Sequence, residues 1–245
     1  MIINKIQKVL SLFEIKGISS IKLLFHKGFS LSSFHLIQAV GEYANAFGTI
    51  LDIGANVGQF SIAAAQKFPK SEIISFEPVP NTFIKLKTNT KRFPNVRIYN
   101  FALGNQEGDI EFYENNYSHA SSVLPISVFQ KTNFPKTAVT KKIKVPIKKI
   151  EKLFYGKKLQ GPILMKLDVQ GFEKDVIEGA GELIHQIDYL LFETSFIQMY
   201  DGEPLFSEMH DFMNSIGFRL VAPVGFLQSE KSIILQMDML YKRVK

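Results

Sequence analysis

The sequence predicts one α/β domain built around a mostly parallel, doubly wound sheet with an antiparallel strand at its C-terminal end. From residue 49 onward, short apolar runs alternate with segments of helical periodicity, a pattern typical of parallel strands joined by helices. The chain has 245 residues, of which 46% are hydrophobic, so it can fill the core of one such domain. Its longest apolar runs are of strand length, well below the roughly 20 residues of a membrane-spanning helix.

The sequence of the first half of the domain predicts a βαβαβ unit. A helix precedes it near Leu36 to Ala46, within an expected N-terminal helical extension over residues 1–48. The sheet domain is expected over residues 49–245. Asn81 is the expected N-cap of the second helix of the unit, because a side-chain amide can accept a hydrogen bond from the first helical turn. The expected elements are strand Thr49 to Ile53, helix Gly58 to Phe68, strand Glu72 to Phe76, a helix toward Arg92, and strand Val96 to Phe101.

An insertion interrupts the alternation over about residues 105–150. Alternating apolar and polar residues at Ile110 to Tyr113 and Ile143 to Ile147 predict a β-hairpin, and the polar segment from Asn115 to Thr140 predicts a long loop. Loops of this length are usually functional or disordered. The alternation then resumes with strand Ile163 to Leu167, helix Phe172 to Gly179, strand Tyr189 to Glu193, helix Phe206 to Ser215, and an antiparallel pair, Phe218 to Val221 and Ile233 to Leu240, joined through Gly225.

The charge and the cysteine content limit which cellular compartment and which binding partners are expected. The net charge is +6 and the chain has no cysteine, which excludes disulfides and thiolate chemistry and is compatible with the cytoplasm. Lysines crowd residues 136–158, either as a solvated face or as a patch that recruits an acidic substrate. The basic segment from Met1 to Lys27 is interpreted as a helix packed on the domain or as a helix lying on the cytoplasmic face of a membrane.

The turn after the first strand predicts a nucleoside cofactor. Asp52-Ile53-Gly54-Ala55-Asn56-Val57-Gly58 places glycines between a strand and a helix, where the backbone can approach a ligand. Glu77 ends the second strand about 25 residues later, and its carboxylate can accept hydrogen bonds from both hydroxyls of a ribose. Asp52 favours S-adenosylmethionine over a dinucleotide, because a carboxylate attracts the methionine amino group and repels a pyrophosphate.

Two further strand ends carry carboxylates. Asp168 follows the fourth strand of the α/β pattern, and Glu193 ends the fifth. The carboxyl ends of parallel strands meet at one edge of the sheet, so these side chains are expected to face a common cleft. Neighbouring carboxylates can bind a divalent cation or raise the pKa of one of them into the range of a general base. Asp168, Glu173 and Glu193 are therefore also candidate Mg²⁺ ligands.

Taken in order, the motifs resemble the FkbM family of S-adenosylmethionine-dependent methyltransferases over roughly Thr49 to Val221. The matching elements are Leu51 to Gly58, Phe76-Glu77-Pro78, Ala102-Leu103-Gly104, Ser118 to Ser122, Lys166 to Glu173 with Gly179-Ala180, and Phe192-Glu193. The resemblance implies a Rossmann-like class I methyltransferase that methylates a hydroxyl of a sugar, glycan, glycolipid or other natural product. It also implies cofactor contacts from Asp52, Gly54, Ala55, Asn56, Gly58, Glu77, Pro78, Ala102, Leu103 and Asp168. Gln170 stands where the family usually has an acidic residue.

Methyl transfer to an alcohol requires a group that removes the hydroxyl proton. The candidates are Asp168 and His119, which lies in the long loop and whose ordinary pKa suits a base. Two alternatives remain open: an RNA methyltransferase and a cofactor-binding module without catalysis. The Asn/Asp-Pro-Pro-aromatic run of base-methylating enzymes is missing after the fourth strand, and aromatics do not interleave with the lysines, so nucleic acid is not the expected partner.

Overall fold

The computed structural model describes residues 30–229 and 232–244. The basic segment at the N-terminus and most of the expected helical extension lie outside these residues. The helices are α1 (Leu31–Gly41), α2 (Gln59–Lys67), α3 (Pro80–Thr90), α4 (Val128–Asn133), α5 (Ile150–Leu153), α6 (Glu173–Glu178) and α7 (Phe206–Ser215). The strands are β1 (Thr49–Ile53), β2 (Glu72–Phe76), β3 (Val96–Tyr99), β4 (Ala102–Leu103), β5 (Gly108–Asn115), β6 (Thr140–Lys148), β7 (Ile163–Leu167), β8 (Tyr189–Ser195), β9 (Phe218–Gln228) and β10 (Ile234–Arg243).

The main sheet confirms the predicted fold class. Its seven strands follow the order β3-β2-β1-β7-β8-β10-β9. Strands β1, β2, β3, β7 and β8 are parallel to one another, whereas β10 is antiparallel to both β8 and β9. The chain order reverses between β1 and β7, so the connections after these two strands leave the sheet on opposite sides and open a crevice at their carboxyl ends.

The insertion forms a second sheet of three strands, in the order β4-β6-β5. The third strand of the main sheet was expected to reach Phe101 but ends at Tyr99. The Asn100 side-chain amide donates to the carbonyl oxygens of Glu77, at 2.8 Å, and of Pro78, at 3.0 Å. These bonds turn the chain, and residues Ala102 and Leu103 pair with the end of β6 instead.

The segment from Asn115 to Thr140 is not the structureless loop that its polar composition predicted. It contains α4 and two 3₁₀ turns, Ser118–Ala120 and Pro135–Thr137. Within this segment, side chains bond to backbone groups where strands would pair with each other. Asn115 Nδ2 donates to the Thr137 carbonyl at 2.6 Å, and the Ser127 hydroxyl caps α4.

Three predicted details at the ends of elements were wrong. Helix α1 begins five residues before the predicted start, because the Ser30 hydroxyl caps it by accepting from the Ser33 amide. Asn81 is not an N-cap: Val79 occupies that position and Pro80 the first helical turn. Gly225 does not join the last two strands but lies inside β9, opposite Asp238 of β10.

The core lies on both faces of the main sheet, because strands buried on both sides contribute alternate residues to each face. Leu51, Met165 and Phe192 pack on one face, and Ile50, Leu164 and Leu191 pack on the other with α1 and α2. Within the described ranges, none of the helices has the length and apolar character needed to cross a bilayer.

Candidate active site

A cavity opens at the carboxyl ends of β1, β2 and β7, where the topology places the crevice. The inserted second sheet and the Ser118–Ala120 turn close it from above. Its walls are formed by Ile53, Gly54, Asn56, Phe76, Glu77, Pro78, Val79, Thr82, Phe101, Ala102, Leu103, Phe112, Ser118, His119, Ser121, Val123, Asp168, Val169, Gln170 and Phe172. Asp168 and six other residues that the sequence analysis names as cofactor contacts therefore line this one cavity.

The turn after β1 needs glycine at its first position. Gly54 has φ +77°, and a Cβ there would lie 2.0 Å from the carbonyl oxygen of Asp168. The main chains of the β1 and β7 turns therefore touch, and no side chain fits between them. Asn56 also adopts a left-handed conformation, with φ +49°, which asparagine tolerates better than most residues. The result is a cradle of backbone at the cavity floor.

Glu77 is the buried acidic group of the cavity. Its Oε2 accepts from the amide of Asn56 and its Oε1 from the amide of Val79, both at 2.9 Å. Burial raises the pKa of Glu77 to about 7, although these two bonds act in the opposite direction. Each oxygen retains a lone pair for a further donor, so the carboxylate is held in place to accept from two ligand hydroxyls.

An apolar wall faces Glu77 across the cavity. Pro78, Phe101, Ala102 and Leu103 are all buried, and Lys148 lies 4.7 Å above the ring of Phe101. A flat aromatic ligand can pack on such a wall. Sequence reasoning missed Phe101 and Phe112, because it assigned the first to the end of β3 and the second to a generic hairpin.

Asp52 lies beneath the cavity and does not line it. The side chain is completely buried, its Oδ2 accepts from the Ser61 hydroxyl at 2.5 Å, and its Oδ1 lies 3.4 Å from Lys166 Nζ. Lys166 also lies 3.2 Å from Asp168 Oδ2. One buried ammonium therefore serves two carboxylates, of which the Asp168 side chain is 40% exposed. Any effect of Asp52 on a ligand is transmitted through this ion network.

Asp168 is held as an anion. Burial alone would raise its pKa, but the Lys166 ammonium and a hydrogen bond from the Gln170 amide bring the pKa below its usual value. Gln170 Nε2 donates to Asp168 Oδ1 at 2.7 Å and to Glu193 Oε2 at 3.4 Å, while its Oε1 accepts from the Tyr200 hydroxyl at 2.7 Å. The side chain at the family's usually acidic position is thus a neutral bridge between two carboxylates.

Two serines anchor the segment that covers the cavity. The Ser118 hydroxyl donates to Asn56 Oδ1 at 3.0 Å, and the Ser122 hydroxyl donates to the Gln170 carbonyl oxygen at 2.7 Å. The segment therefore contacts the turns after both β1 and β7. His119, between the two serines, is exposed at the cavity mouth and packs against the ring of Tyr117.

The model of the methyltransferase FkbM domain matches residues 52–220, which include every wall of this cavity. The chain belongs to the FkbM methyltransferase family. This confirms the resemblance seen in the motifs, and with it a methyltransferase that uses S-adenosylmethionine.

Relatives of this FkbM domain differ widely in sequence. The 2-O-methyltransferase NoeI of Sinorhizobium fredii is 26% identical over 181 residues, which cover 71% of this chain and 73% of NoeI. The hexuronic acid methyltransferase AglP of Haloferax volcanii is 24% identical, with 64% of this chain and 60% of AglP covered. The crystal structure of PH1948 from Pyrococcus horikoshii, described provisionally as an RNA methyltransferase, superposes with a TM-score of 0.50 at 12% identity over 92% of this chain and 97% of PH1948. That likeness shows the fold alone.

The cavity of this FkbM domain fits S-adenosylmethionine in its chemistry. At Gly54 a ligand can contact only the backbone. The Glu77 carboxylate can accept from the hydroxyls of a ribose, and the apolar wall from Phe101 to Leu103 can pack against an adenine. Ala55 and Gly58, also named from the sequence, lie behind the cradle: the Ala55 amide donates to the Phe76 carbonyl, and Gly58 precedes α2 with φ +93°.

The three candidate metal ligands of the FkbM domain accept hydrogen bonds from protein groups, and Asp168 and Glu193 share the Gln170 amide as a donor. Glu173 is buried and accepts from the Val169 amide at 3.1 Å, and burial raises its pKa to about 8. Glu193 accepts from Gln170 and from Gln236. In the part of the chain that the structure describes, no three His, Cys, Asp or Glu side chains are grouped as metal ligands. The structure does not bring the proposed magnesium ligands together.

Proposed function

We propose that the protein transfers a methyl group from S-adenosylmethionine to a hydroxyl of a saccharide, free or carried on a glycan or glycolipid. The observation that carries this proposal is the polar row beside the cofactor cavity. Asp168, Gln170 and Glu193 follow one another across the ends of β7 and β8. Such side chains bind hydroxyl groups. The name of the relative NoeI supports transfer to an oxygen, and the name of AglP supports a saccharide acceptor.

The cofactor would be held by the groups that line the cavity. When bound, S-adenosylmethionine supplies an electrophilic methyl group on a sulfonium. Glu77 accepts from the ribose hydroxyls, and the wall of Phe101, Ala102 and Leu103 covers the adenine. Asp168, kept anionic by Lys166, attracts the positive charge of the methionine part. Because in-line methyl transfer depends mainly on alignment, these contacts provide much of the catalysis.

The Ser118–Ala120 turn excludes water from the reacting groups. Ser118 and Ser122 hold this segment against the turns after β1 and β7, and His119 faces the mouth of the cavity. A covered site prevents hydrolysis and strengthens electrostatic contacts inside. The lysines of β6 lie on the same inserted sheet, and one of them, Lys142, is paired with Glu111.

The test is transfer of a labelled methyl group to separate pools of neutral oligosaccharides, uronic acid oligosaccharides, glycolipids and RNA. We expect label in a saccharide pool, in an ether that resists alkaline hydrolysis. Glu182→Gln is a matched control, because this side chain is 89% exposed and the variant should transfer label at the wild-type rate. Label confined to RNA would support the RNA methyltransferase alternative, and cofactor binding without transfer to any pool would support a non-catalytic module.

A further inference from the structure

We propose that Glu193 is the general base that accepts the proton of the acceptor hydroxyl, and that Gln170 positions it. This inference rests on the proposed function, because only an alcohol acceptor requires such a base. The sequence names Asp168 and His119 first for this role, and it leaves open that one of the neighbouring carboxylates, Asp168 or Glu193, is a general base.

The position of Glu193 in the sheet is the first argument. The cofactor cavity lies over β1, β2 and β7, on one side of the point where the strand order reverses. Glu193 belongs to β8, on the far side of β7, and is partly exposed at the same carboxyl edge. With the cofactor in the cavity, the free part of the crevice lies over β7 and β8. An acceptor that approaches there meets Glu193.

The hydrogen bonds of Glu193 fix its carboxylate without supplying a cation. Its Oε2 accepts from Gln236 Nε2 at 2.9 Å and from Gln170 Nε2 at 3.4 Å. The Tyr200 hydroxyl donates to the Gln170 carbonyl oxygen, so the amide nitrogen of Gln170 must face the two carboxylates. Both donors to Glu193 that the structure shows are neutral amides and both bind one oxygen, which leaves Oε1 for the acceptor hydroxyl.

The neighbouring charges favour proton uptake by Glu193. Asp238 of β10 lies opposite it in the ladder, and Gly225 makes room for Asp238, since a Cβ there would lie 2.3 Å from Asp238 Oδ2. Burial, and then the charges of Asp238, Asp168, Glu173 and Glu203, raise the pKa of Glu193 well above its ordinary value. The nearby cation, Lys166, contacts Asp52 and Asp168 instead.

The proton transfer balances with the proposed methyl transfer. The acceptor oxygen forms a bond to the methyl group, and the bond from that methyl to the donor sulfur breaks with its electron pair left on sulfur. The acceptor proton passes to Glu193 Oε1. The products are a methyl ether, neutral S-adenosylhomocysteine and protonated Glu193, which returns its proton to solvent. Asp168 is a poor acceptor for this proton because Lys166 and Gln170 stabilise its anion.

The experiment compares the wild type with Glu193→Gln, Asp168→Asn, His119→Gln and the control Glu182→Gln. Rates of methyl transfer to the saccharide found for the wild type are measured from pH 5 to 9. A glutamine at 193 can still accept from Gln170 and Gln236, so its melting temperature and cofactor affinity should match the wild type. We expect kcat to fall by about 10² to 10⁴, the usual contribution of a general base, and the acid limb of the pH profile to disappear.

Two further variants test the local charges and the role of Gln170. Asp238→Asn removes a negative neighbour, so the acid limb should move to lower pH. Gln170→Met removes a donor to the ionised carboxylate without adding a charge, so the limb should move to higher pH and kcat should fall; a merely structural role of Gln170 would leave the limb in place. The carboxyl carbon of Glu193, assigned by NMR of ¹³C-labelled protein from the signal lost in Glu193→Gln, should titrate above the ordinary range and follow both variants without any acceptor present.

The outcomes distinguish a failure of the proposed general base from a failure of the proposed function on which it rests. A wild type that methylates no saccharide hydroxyl overturns both proposals. A wild type that does so, with Glu193→Gln within threefold of its kcat, overturns the base alone. Loss of the acid limb in His119→Gln or Asp168→Asn, with its retention in Glu193→Gln, likewise assigns the proton to another residue.

Discussion

Replacing Glu77 with glutamine should raise the stability of the cofactor-free protein at pH 8 relative to its stability at pH 5, while weakening cofactor binding. The burial that raises the pKa of Glu77 from 4.5 to about 7 also means that folding disfavours its charged form. Between pH 4.5 and 7, the folded protein keeps a proton that the unfolded chain has released. The free energy of unfolding therefore falls as the pH rises through this window, and the whole cost is present by about pH 8.

The size of the effect follows from the shift. A pKa unit corresponds to about 1.4 kcal/mol, so the ionised carboxylate costs roughly 3 kcal/mol at pH 8 and less than about 1 kcal/mol at pH 5. Glutamine removes the charge, but its amide nitrogen cannot accept a hydrogen bond, so the amide of Asn56 or of Val79 loses its acceptor at a cost of about 1 to 3 kcal/mol at every pH. The relief of the charge cost is about 2.5 kcal/mol larger at pH 8 than at pH 5, so for a chain of this length the melting temperature of Glu77→Gln relative to the wild type should be roughly 5 to 10 °C higher at pH 8 than at pH 5.

Cofactor affinity should change in the opposite direction. A hydrogen bond to a charged acceptor contributes about 1.5 to 3 kcal/mol, so Glu77→Gln should raise the Kd of S-adenosylmethionine about 10- to 100-fold. Thermal unfolding followed by circular dichroism and titration calorimetry measure the two effects at both pH values, with Glu182→Gln as the control. A melting-temperature difference between Glu77→Gln and the wild type that is the same at pH 5 and pH 8, or an unchanged Kd, would refute the account of Glu77 as a costly buried anion kept for the ribose.

Three other substitutions test separate parts of the site. Lys166→Met leaves Asp52 buried without its cation and should lower the free energy of unfolding by about 3 to 5 kcal/mol, measured by urea denaturation at pH 7.5. Gly54→Ala forces a Cβ against the carbonyl oxygen of Asp168, so calorimetry should detect no cofactor binding even in the fraction that folds. Ser118→Ala removes the bond from the covering segment to the turn after β1 and should raise the Kd of the cofactor by roughly 2- to 12-fold, with the melting temperature of the free protein nearly unchanged.

The placement of Gly54, Asn56 and Glu77 at the cavity could be predicted because their signals are local. The turn from Gly54 to Gly58 lies between a strand and a helix that are adjacent in sequence, and Glu77 ends the next strand. Backbone geometry in such a unit is set by a few residues. Asp52 shows the limit of that reasoning: its place in the motif was read correctly, but only the packing shows its carboxylate directed toward Ser61 and Lys166.

The remaining parts of the site depend on contacts between distant residues. Ser118 reaches Asn56 across 62 positions, and Gln236 reaches Glu193 across 43. Phe101 became a wall residue only because Asn100 ends β3 early. No period or motif in the sequence encodes such pairs, since they are set by how the inserted sheet and the C-terminal strands pack on the domain.

The position of one buried lysine explains why the pKa values of the neighbouring carboxylates differ. In the described part of the chain, Lys166 forms ion pairs with Asp52 and Asp168 and with no group on β8 or β10. The same burial therefore has two results: the pKa of Asp168 is lowered by its cation, whereas the pKa of Glu193 is raised beside Asp238. Environments that separate the pKa values of neighbouring acids assign them different roles. In the proposed function, Asp168 is the permanent anion next to the cofactor and Glu193 is the proton acceptor next to the acceptor hydroxyl.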